Sequence, residues 1–413
     1  MPQPDENLLA INGGSSSIRF AFYRVGGGLT RQLTGKLDRL GQHDTVLSYH
    51  DFTTNETGQQ AVASTDLHIV VNNLITWLEG RIHFATVRGI GHRIVHGRDH
   101  HAPEVVTQVL LDDLRLNSTS DPEHLPLELE LIEGFRRRFP KLKQVTCFDT
   151  AFHADLPLVA RMLPLPRHLF QHGVRRYGFH GISYTFLLEE LVRLGDPAAK
   201  TGRVILAHLG SGASLAAVRD GHSIDTSMGF TPTGGVPMST RSGDLDPGVA
   251  AFVMATEHLT VEQFQHLVNH ESGLIGIAET SGDMQQLLAC EAQDSRAAEA
   301  IALFCYQVKK WIGAFAAALG GVDTVVFSGG IGEHAAIIRQ RICSGLEFLG
   351  IDLDLQRNAW NDSLISKTNS RVTVRVIATD EELMIARSVD RAQAPQSEPW
   401  GAYPSSTVPL TSG

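Results

Sequence analysis

Short apolar runs separated by glycine-rich turns dominate both ends and the middle of the chain, and longer stretches of helical periodicity lie between them. Residues 8–11 are apolar, 12–17 (NGGSSS) are turn-forming, and 18–24 are β-rich, followed by Gly26, Gly27 and Gly28. The pattern predicts a strand, a tight turn and a return strand. It recurs at 204–217, where LAHLGSGASLAAV stands beside the earlier LAINGGSSSIRFA, and reads as an internal duplication with one glycine turn per half. Residues 58–80 carry helical periodicity, 86–94 read as a strand, 127–138 as a helix, and 144–148 as a strand ending at Asp149. Further helices are expected at 183–194, 247–257, 260–270 and 295–319. The last places Ile301, Phe304, Val308, Ile312, Phe315 and Leu319 on three- and four-residue steps, a core stripe. A strand at 324–328, a glycine turn at 329–333, a helix at 334–346, a strand at 372–378 and a helix at 383–391 complete the pattern. Thr379 with Glu382 three residues later reads as a capping box.

Strands alternating with helices predict an α/β fold, and 413 residues predict two domains with a boundary near residue 150. The end of the chain, AQAPQSEPWGAYPSSTVPLTSG, is rich in Pro, Ser and Gly and is expected to be a mobile tail. The net charge is −10 with no basic block, which argues against nucleic acid or an anionic membrane as partner. Any bound phosphate must then be held by local donors. The four cysteines form no CxxC pair, the start has no basic and apolar leader, and the apolar stretch at 312–319 is too short to span a bilayer. A reduced, cytoplasmic protein is expected.

Three glycine turns and two arginines carry candidate chemistry. In 204–248, His208-Leu209-Gly210-Ser211-Gly212 sits between strands, and Arg241 follows between hydroxyls (Ser239, Thr240, Ser242). Backbone amides of such a turn can face an anion, and an arginine on a small-residue loop suits bidentate oxyanion contact. A plain hairpin with polar turns is the alternative. Arg93 lies in a histidine-rich loop, His92 to His101, which reads as an anion-facing loop more readily than as a zinc site, because no Cys or acidic residue is interleaved at the usual ligand spacing and Arg93 sits in the middle. Asp149 at a strand end is a metal or nucleotide ligand or merely begins a turn. His180, between glycines before a helix, is structural or functional. Gly329 to Glu333, between a strand and a helix, is a third nucleotide-type turn. Glycine turns, arginines and carboxylates together are phosphoryl-transfer components, while a P-loop and a protein-kinase motif set are absent.

In the order INGGSSSIRF, GHRIVHG, FDTAFH, YGFHGISY, HLGSGAS, TSMGFTP, MSTRSGDLDP, FSGGIGE and TDEELMIA, spanning roughly residues 7–390, the chain resembles the acetate kinase family of the sugar kinase/Hsp70/actin superfamily. The resemblance implies two duplicated actin-like, ribonuclease H-like domains with a central cleft. One would comprise residues 1–150 with 381–392, the other residues 151–380, with 393–413 as the tail. It implies ATP + acetate ⇌ ADP + acetyl phosphate by direct in-line transfer, magnesium (or manganese) as cofactor, and a homodimer. A propionate or other short-chain carboxylate kinase of the same fold, or a non-catalytic nucleotide-binding member, is the alternative. It implies catalytic roles for Arg93, Asp149, His180 and Arg241, and an acid-binding site of Arg93, Val95, His124, Phe179 and Pro232. Ser15, Ser17, Arg19, His208, Gly210, Ser211, Gly212, Asp283, Met284, Gln285, Gly330, Ile331, Gly332 and Glu333 are implied on the nucleotide side. Asn12 and Glu381 are implied on the metal side, with Asp149 as a second magnesium-linked carboxylate.

Three departures from the family pattern bear on substrate choice. Ser211 replaces an asparagine, Gln285 stands where an arginine is usual, and Glu123-His124-Leu125-Pro126 replaces Leu-His-Asn-Pro. An ionised Glu123 is costly to bury unpaired. It is expected to turn to solvent, leaving Val95, Phe179 and Pro232 to form the acyl pocket. The alternatives are pairing with an arginine or remaining in the pocket.

Overall fold

Two β-sheets with the same strand order organise the chain in a computed structural model, which describes residues 6–14, 16–41, 44–62, 64–116 and 121–393. The first is built from β1 (Asn7–Gly13), β2 (Ser17–Val25), β3 (Leu29–Asp38), β4 (Val46–Asp51), β5 (Glu56–Ala61), β6 (Val87–Ile94), β7 (Glu104–Val105) and β8 (Lys143–Phe148), in the order β5-β4-β3-β2-β1-β6-β8-β7. The second contains β9 (Arg203–Leu209), β10 (Ala213–Arg219), β11 (His222–Thr226), β12 (Thr324–Ser328) and β13 (Thr373–Val376), in the order β11-β10-β9-β12-β13. In each, an antiparallel three-strand meander (β1–β3; β9–β11) is followed by two strands parallel to its first (β6, β8; β12, β13). The two glycine turns join the equivalent strands, β1 to β2 and β9 to β10. The repeat read in the sequence is therefore a repeat of topology.

The strands flanking these turns are buried because their runs are apolar on both faces. Leu8, Leu9 and Ala10 on β1 and Val204 to Ala207 on β9 are wholly inaccessible. One core contains residues of both sheets, Leu8, Ala10 and Val145 from the first and Val204, Leu206 and Ala216 from the second. Helices Gly181–Arg193 and Glu381–Gln393 supply many of its other side chains. Helix Glu381–Gln393 sits directly on β6, where a Cβ on Gly91 would collide with Ile385 and Val389. Helix Ser295–Leu319 covers the second sheet along the stripe expected of it, with Ile301, Phe304, Val308 and Ile312 inaccessible.

Several expectations need correction. Residues 58–61 are strand, not helix. Gly58 and its neighbours pair with β4, and the helix begins only at Leu67, capped by the Asp66 carboxylate, which accepts from the Ile69 amide at 3.1 Å. The glycine turn at 329–333 is itself the helix Gly329–His334, followed by a second helix, Ala336–Cys343. The Thr379/Glu382 capping box does not form. Asp380 caps the last helix instead, accepting from the Leu383 amide at 3.0 Å, and Glu382 turns to Asn12. Ser15 and the expected tail from 394 onward lie outside the described residues. No helix among the described residues is long and apolar enough to cross a membrane.

Candidate active site

The ends of β1, β6 and β8 bring three predicted residues into contact. Arg93, the penultimate residue of β6, donates from Nε and Nη2 to Oδ2 of Asp149 at 2.9 and 2.6 Å. Its Nη1 reaches Oδ1 of Asn12 at 3.3 Å. The Asn12 amide nitrogen in turn donates to Glu381 at 2.8 Å and Glu382 at 2.9 Å, both at the start of the last helix. Asp149 is wholly buried, and its Oδ1 has no hydrogen-bond partner. Burial raises the Asp149 pKa, opposed by Arg93 and assisted by nearby Glu381. Burial works in the same direction on Glu381, but Arg93, His208 and the Asn12 amide outweigh it and hold that carboxyl below its ordinary value. Burial disfavours the Arg93 cation, yet Asp149 and Glu381 overcome this and keep it charged.

Across the cleft, His180 caps helix Gly181–Arg193 from a left-handed backbone conformation (φ 59°, ψ 22°), a strained state for a residue with a Cβ. Its ring stacks on His208, with centroids 4.4 Å apart, and its Nδ1 lies 2.8 Å from Ser214 Oγ. His208 is itself held by Ser183 at 2.9 Å. Burial, then the neighbouring His208, Arg93 and Arg241, push the His180 pKa well down, so the ring is neutral at physiological pH.

Arg241 completes the group. Its Nη1 donates to the Pro232 carbonyl at 3.3 Å and its Nη2 lies 3.4 Å from His124 Nε2. Because a guanidinium only donates, His124 Nε2 accepts and its Nδ1–H donates to Asp121 at 2.7 Å. Among the described residues no carboxylate lies within ion-pairing distance of Arg241, and burial pushes its pKa down. It is a half-buried cation held in place by neutral acceptors, with charge left for an anion. Gly212 faces this group: a Cβ there would stand 3.3 Å from His180 Nε2 and 3.8 Å from Arg241 Nη1.

A cavity of about 280 Å³ opens beside Arg241, lined in part by Asp121, Glu123, His124, Pro232, Asn269 and His270. Glu123 takes none of its three anticipated positions cleanly. It lines this cavity, remains 36% exposed, and pairs with His270 at 2.9 Å rather than with an arginine. Val95 and Phe179 are buried in the core, where Phe179 meets the His96 ring edge-on.

The nucleotide-side residues are less gathered. Gly210, Ser211 and Gly212 form the β9–β10 turn, and Ser17 closes the β1–β2 turn by accepting from the Gly14 amide at 2.8 Å. Arg19 is exposed, and its charge is felt at Glu381 and Glu382. Gly330, Ile331 and Gly332 lie in the first turn of a helix abutting β9. Glu333 faces inward. Its carboxylate accepts from the Gly329 and Thr379 amides at 2.8 and 3.1 Å, a backbone-holding position. Asp283 caps the helix Met284–Cys290, the Met284 side chain is core, and Gln285 is exposed. His92 packs against Phe135, and His100 lies between Glu104 and Asp113. Sequence reasoning missed Ser214, Asp121 and Glu382. A lone hydroxyl in the apolar run ASLAAV and an Asp three residues before His124 were the available signals.

Residues 7–387 match the model of the acetokinase family. The acetate kinase of Methylocella silvestris is 39% identical over 92% of this chain and 96% of its own length. That of Rhodopseudomonas palustris is 42% identical over 93% and 98%. Among solved structures, Porphyromonas gingivalis acetate kinase superposes with a TM-score of 0.83 at 33% identity, covering 92% of this chain and 98% of its own. A propionate kinase from Francisella tularensis gives 0.87 at 34%, covering 93% and 98%. With a family match across nearly its whole length, relatives at this identity and a shared two-sheet architecture, the chain belongs to the acetokinase family.

Proposed function

We propose that this protein transfers the γ-phosphoryl group of ATP to acetate, reversibly and in line, giving acetyl phosphate and ADP. The observation that carries the reading is the placement of Arg241 and the neutral His180 around Gly212, two donors aimed at one small space. A loose phosphoryl-transfer transition state spreads charge over three oxygens, so fixed donors supply most of the catalysis. Arg241 binds the acid carboxylate or a phosphoryl oxygen, His180 donates to another oxygen, and Arg93 is held by Asp149 to face the same space. The acceptor carboxylate is already a nucleophile at neutral pH, so no general base is required.

The unpaired Oδ1 of Asp149 and the ionised Glu381 fit a hard cation, and Asn12 orients Glu381. Magnesium bound there supplies charge neutralisation on the phosphate oxygens. The nucleotide would lie along the Gly210–Gly212 turn and the helix beginning at Gly329, past Asp283 and Gln285.

The same reading divides the chain into residues 1–150 with 381–392, and residues 151–380. The packing of helix Glu381–Gln393 on β1, β6 and β8 supports this. We further propose a cytoplasmic homodimer joined through the second unit, where Phe252, Val261 and Tyr306 are exposed. Light scattering should give twice the 45.0 kDa chain mass, and a monomer at micromolar concentration would refute the dimer. Longer acids such as propionate are a second reading, favoured by the 280 Å³ cavity beside Arg241. The deciding assay is ATP- and magnesium-dependent acyl phosphate formation from acetate and propionate, trapped with hydroxylamine. No trapped product with any short acid would reject the function.

A further inference from the structure

His180 donates to the reacting group only if its proton sits on Nε2, and the surrounding hydrogen bonds determine whether it does. Ser214 Oγ lies 2.8 Å from His180 Nδ1 and is also in contact with the Tyr184 hydroxyl. All three side chains are buried, Tyr184 and Ser214 completely. The only hydrogen-bond acceptor for the Tyr184 proton among the described residues is Ser214 Oγ. Tyr184 therefore donates to Ser214. The Ser214 proton then has one acceptor left, His180 Nδ1. With Nδ1 accepting, the ring proton of a neutral His180 resides on Nε2, the atom facing Gly212 and Arg241.

We propose that Tyr184 and Ser214 are positioning residues that act through His180, fixing its ring orientation and its Nε2–H tautomer so that a donor rather than a lone pair meets the phosphoryl oxygens. This rests on the transition-state role given to His180 above. The alternative tautomer would point a lone pair at an anion in a buried site, where such mismatches are most costly. His180 also adopts left-handed backbone geometry, so its ring direction is not set by helix packing alone. The stack on His208 fixes the ring plane but leaves the choice between its two nitrogens open. The Ser214 contact makes that choice. Tyr184 lies one turn into helix Gly181–Arg193 and Ser214 is the second residue of β10, so the relay ties the helix to the strand that carries the glycine turn.

The test uses the full-length protein with ¹⁵N-labelled histidine, His180 being assigned by its loss in His180→Asn. The expected spectrum shows Nε2 protonated and Nδ1 bare in the wild type, and a mixture of tautomers in Ser214→Ala. Wild-type His180 protonated on Nδ1 would overturn the proposal whatever the Ser214 and Tyr184 variants do. In kinetics, Ser214→Ala should lower kcat at least tenfold with acetate KM changed less than threefold. Tyr184→Phe should lower kcat about threefold, and Ser214→Thr should restore most of the loss. Adding Tyr184→Phe to Ser214→Ala should cost nothing further, because the tyrosine acts through the serine. Independent, multiplying losses would refute the relay. Unchanged kcat in His180→Asn would instead reject the role of His180 in transfer, while the spectrum still reports on the relay.

Discussion

Replacing Arg241 with alanine separates what a half-buried arginine does for chemistry from what it does for the fold. In the folded protein, besides a 3.9 Å contact to the Met238 sulfur, the guanidinium makes two long contacts, 3.3 Å to the Pro232 carbonyl and 3.4 Å to His124, and no ion pair among the described residues. Each is worth about 1 kcal/mol or less in net stability. The adjoining 280 Å³ cavity admits water to both abandoned acceptors. Relief of the arginine's own desolvation offsets part of the loss, so unfolding free energy should fall by no more than about 2 kcal/mol. In the proposed reaction the same group supplies fixed donors to a developing anion. Loss of one such preorganised donor costs on the order of 3 kcal/mol, a fall of about a hundredfold in kcat/KM. Hydroxylamine-trapped acetyl phosphate formation measures the second quantity and urea unfolding the first. Arg241→Lys should fall between wild type and alanine, since a point charge cannot hold two acceptors at once. A folded Arg241→Ala protein with near-normal turnover would refute the assigned role.

Gly212→Ala places a methyl group 3.3 Å from His180 Nε2. It should reduce kcat/KM at least tenfold at unchanged melting temperature, and full activity would show that the reacting group lies elsewhere. Glu123→Leu breaks the pair with His270 at a partly exposed site, so acetate KM should change less than about threefold, within roughly 0.7 kcal/mol. A larger improvement would mean that the carboxylate repels substrate. His92 is buried with both ring nitrogens unpaired, and burial pushes its pKa down to about 3. The unfolded chain therefore binds a proton that the native state refuses as pH falls below about 6.5. Stability is lost in that direction, by about 2 kcal/mol between neutrality and pH 5. In His92→Phe the difference between urea-unfolding free energies at pH 7 and pH 5 should change by that amount in favour of pH 5, and an unaltered difference would contradict the buried neutral state.

The local patterns that were legible in sequence are those in which one residue type has one physical use. Apolar runs beside glycine turns gave β1, β2, β9 and β10, and the stripe from Ile301 to Leu319 gave its helix to the residue. Arg93, Asp149, His180 and Arg241, quoted from four separated motifs, converge around the cleft, with Arg93 bonded to Asp149. Strands β3 to β5 were not legible because they are half-exposed and polar, and their pairing is dictated by neighbours rather than by their own alternation. Glu382 was misread for a related reason. A carboxylate near a helix start can cap its own helix, hold a distant amide or orient a catalytic group, and only tertiary contacts decide. Glu382 and Thr379 have capping spacing, but Asn12, 370 residues away from Glu382, offers the glutamate a better partner.

The helix that closes the first sheet is the last among the described residues, and this sets an order of assembly. Strands β1 to β8 leave the ribosome early, yet Leu8, Ala10 and Val145 stay uncovered until Ile385 and Val389 arrive. The second sheet, from Arg203 to Val376, is contiguous in sequence, and helix Gly181–Arg193, which precedes it, packs on β9 within that shared core. A nascent chain should thus carry one finished half and one open, aggregation-exposed half for most of its synthesis, the expected liability of a long-range closure. Glu381 arrives on the same helix, so its bond with Asn12 and sheet closure become a single late event. A chain ending at residue 380 should keep a protease-resistant fragment from the second half and lose the first, whereas equal resistance of both halves would show that the helix is dispensable for closure.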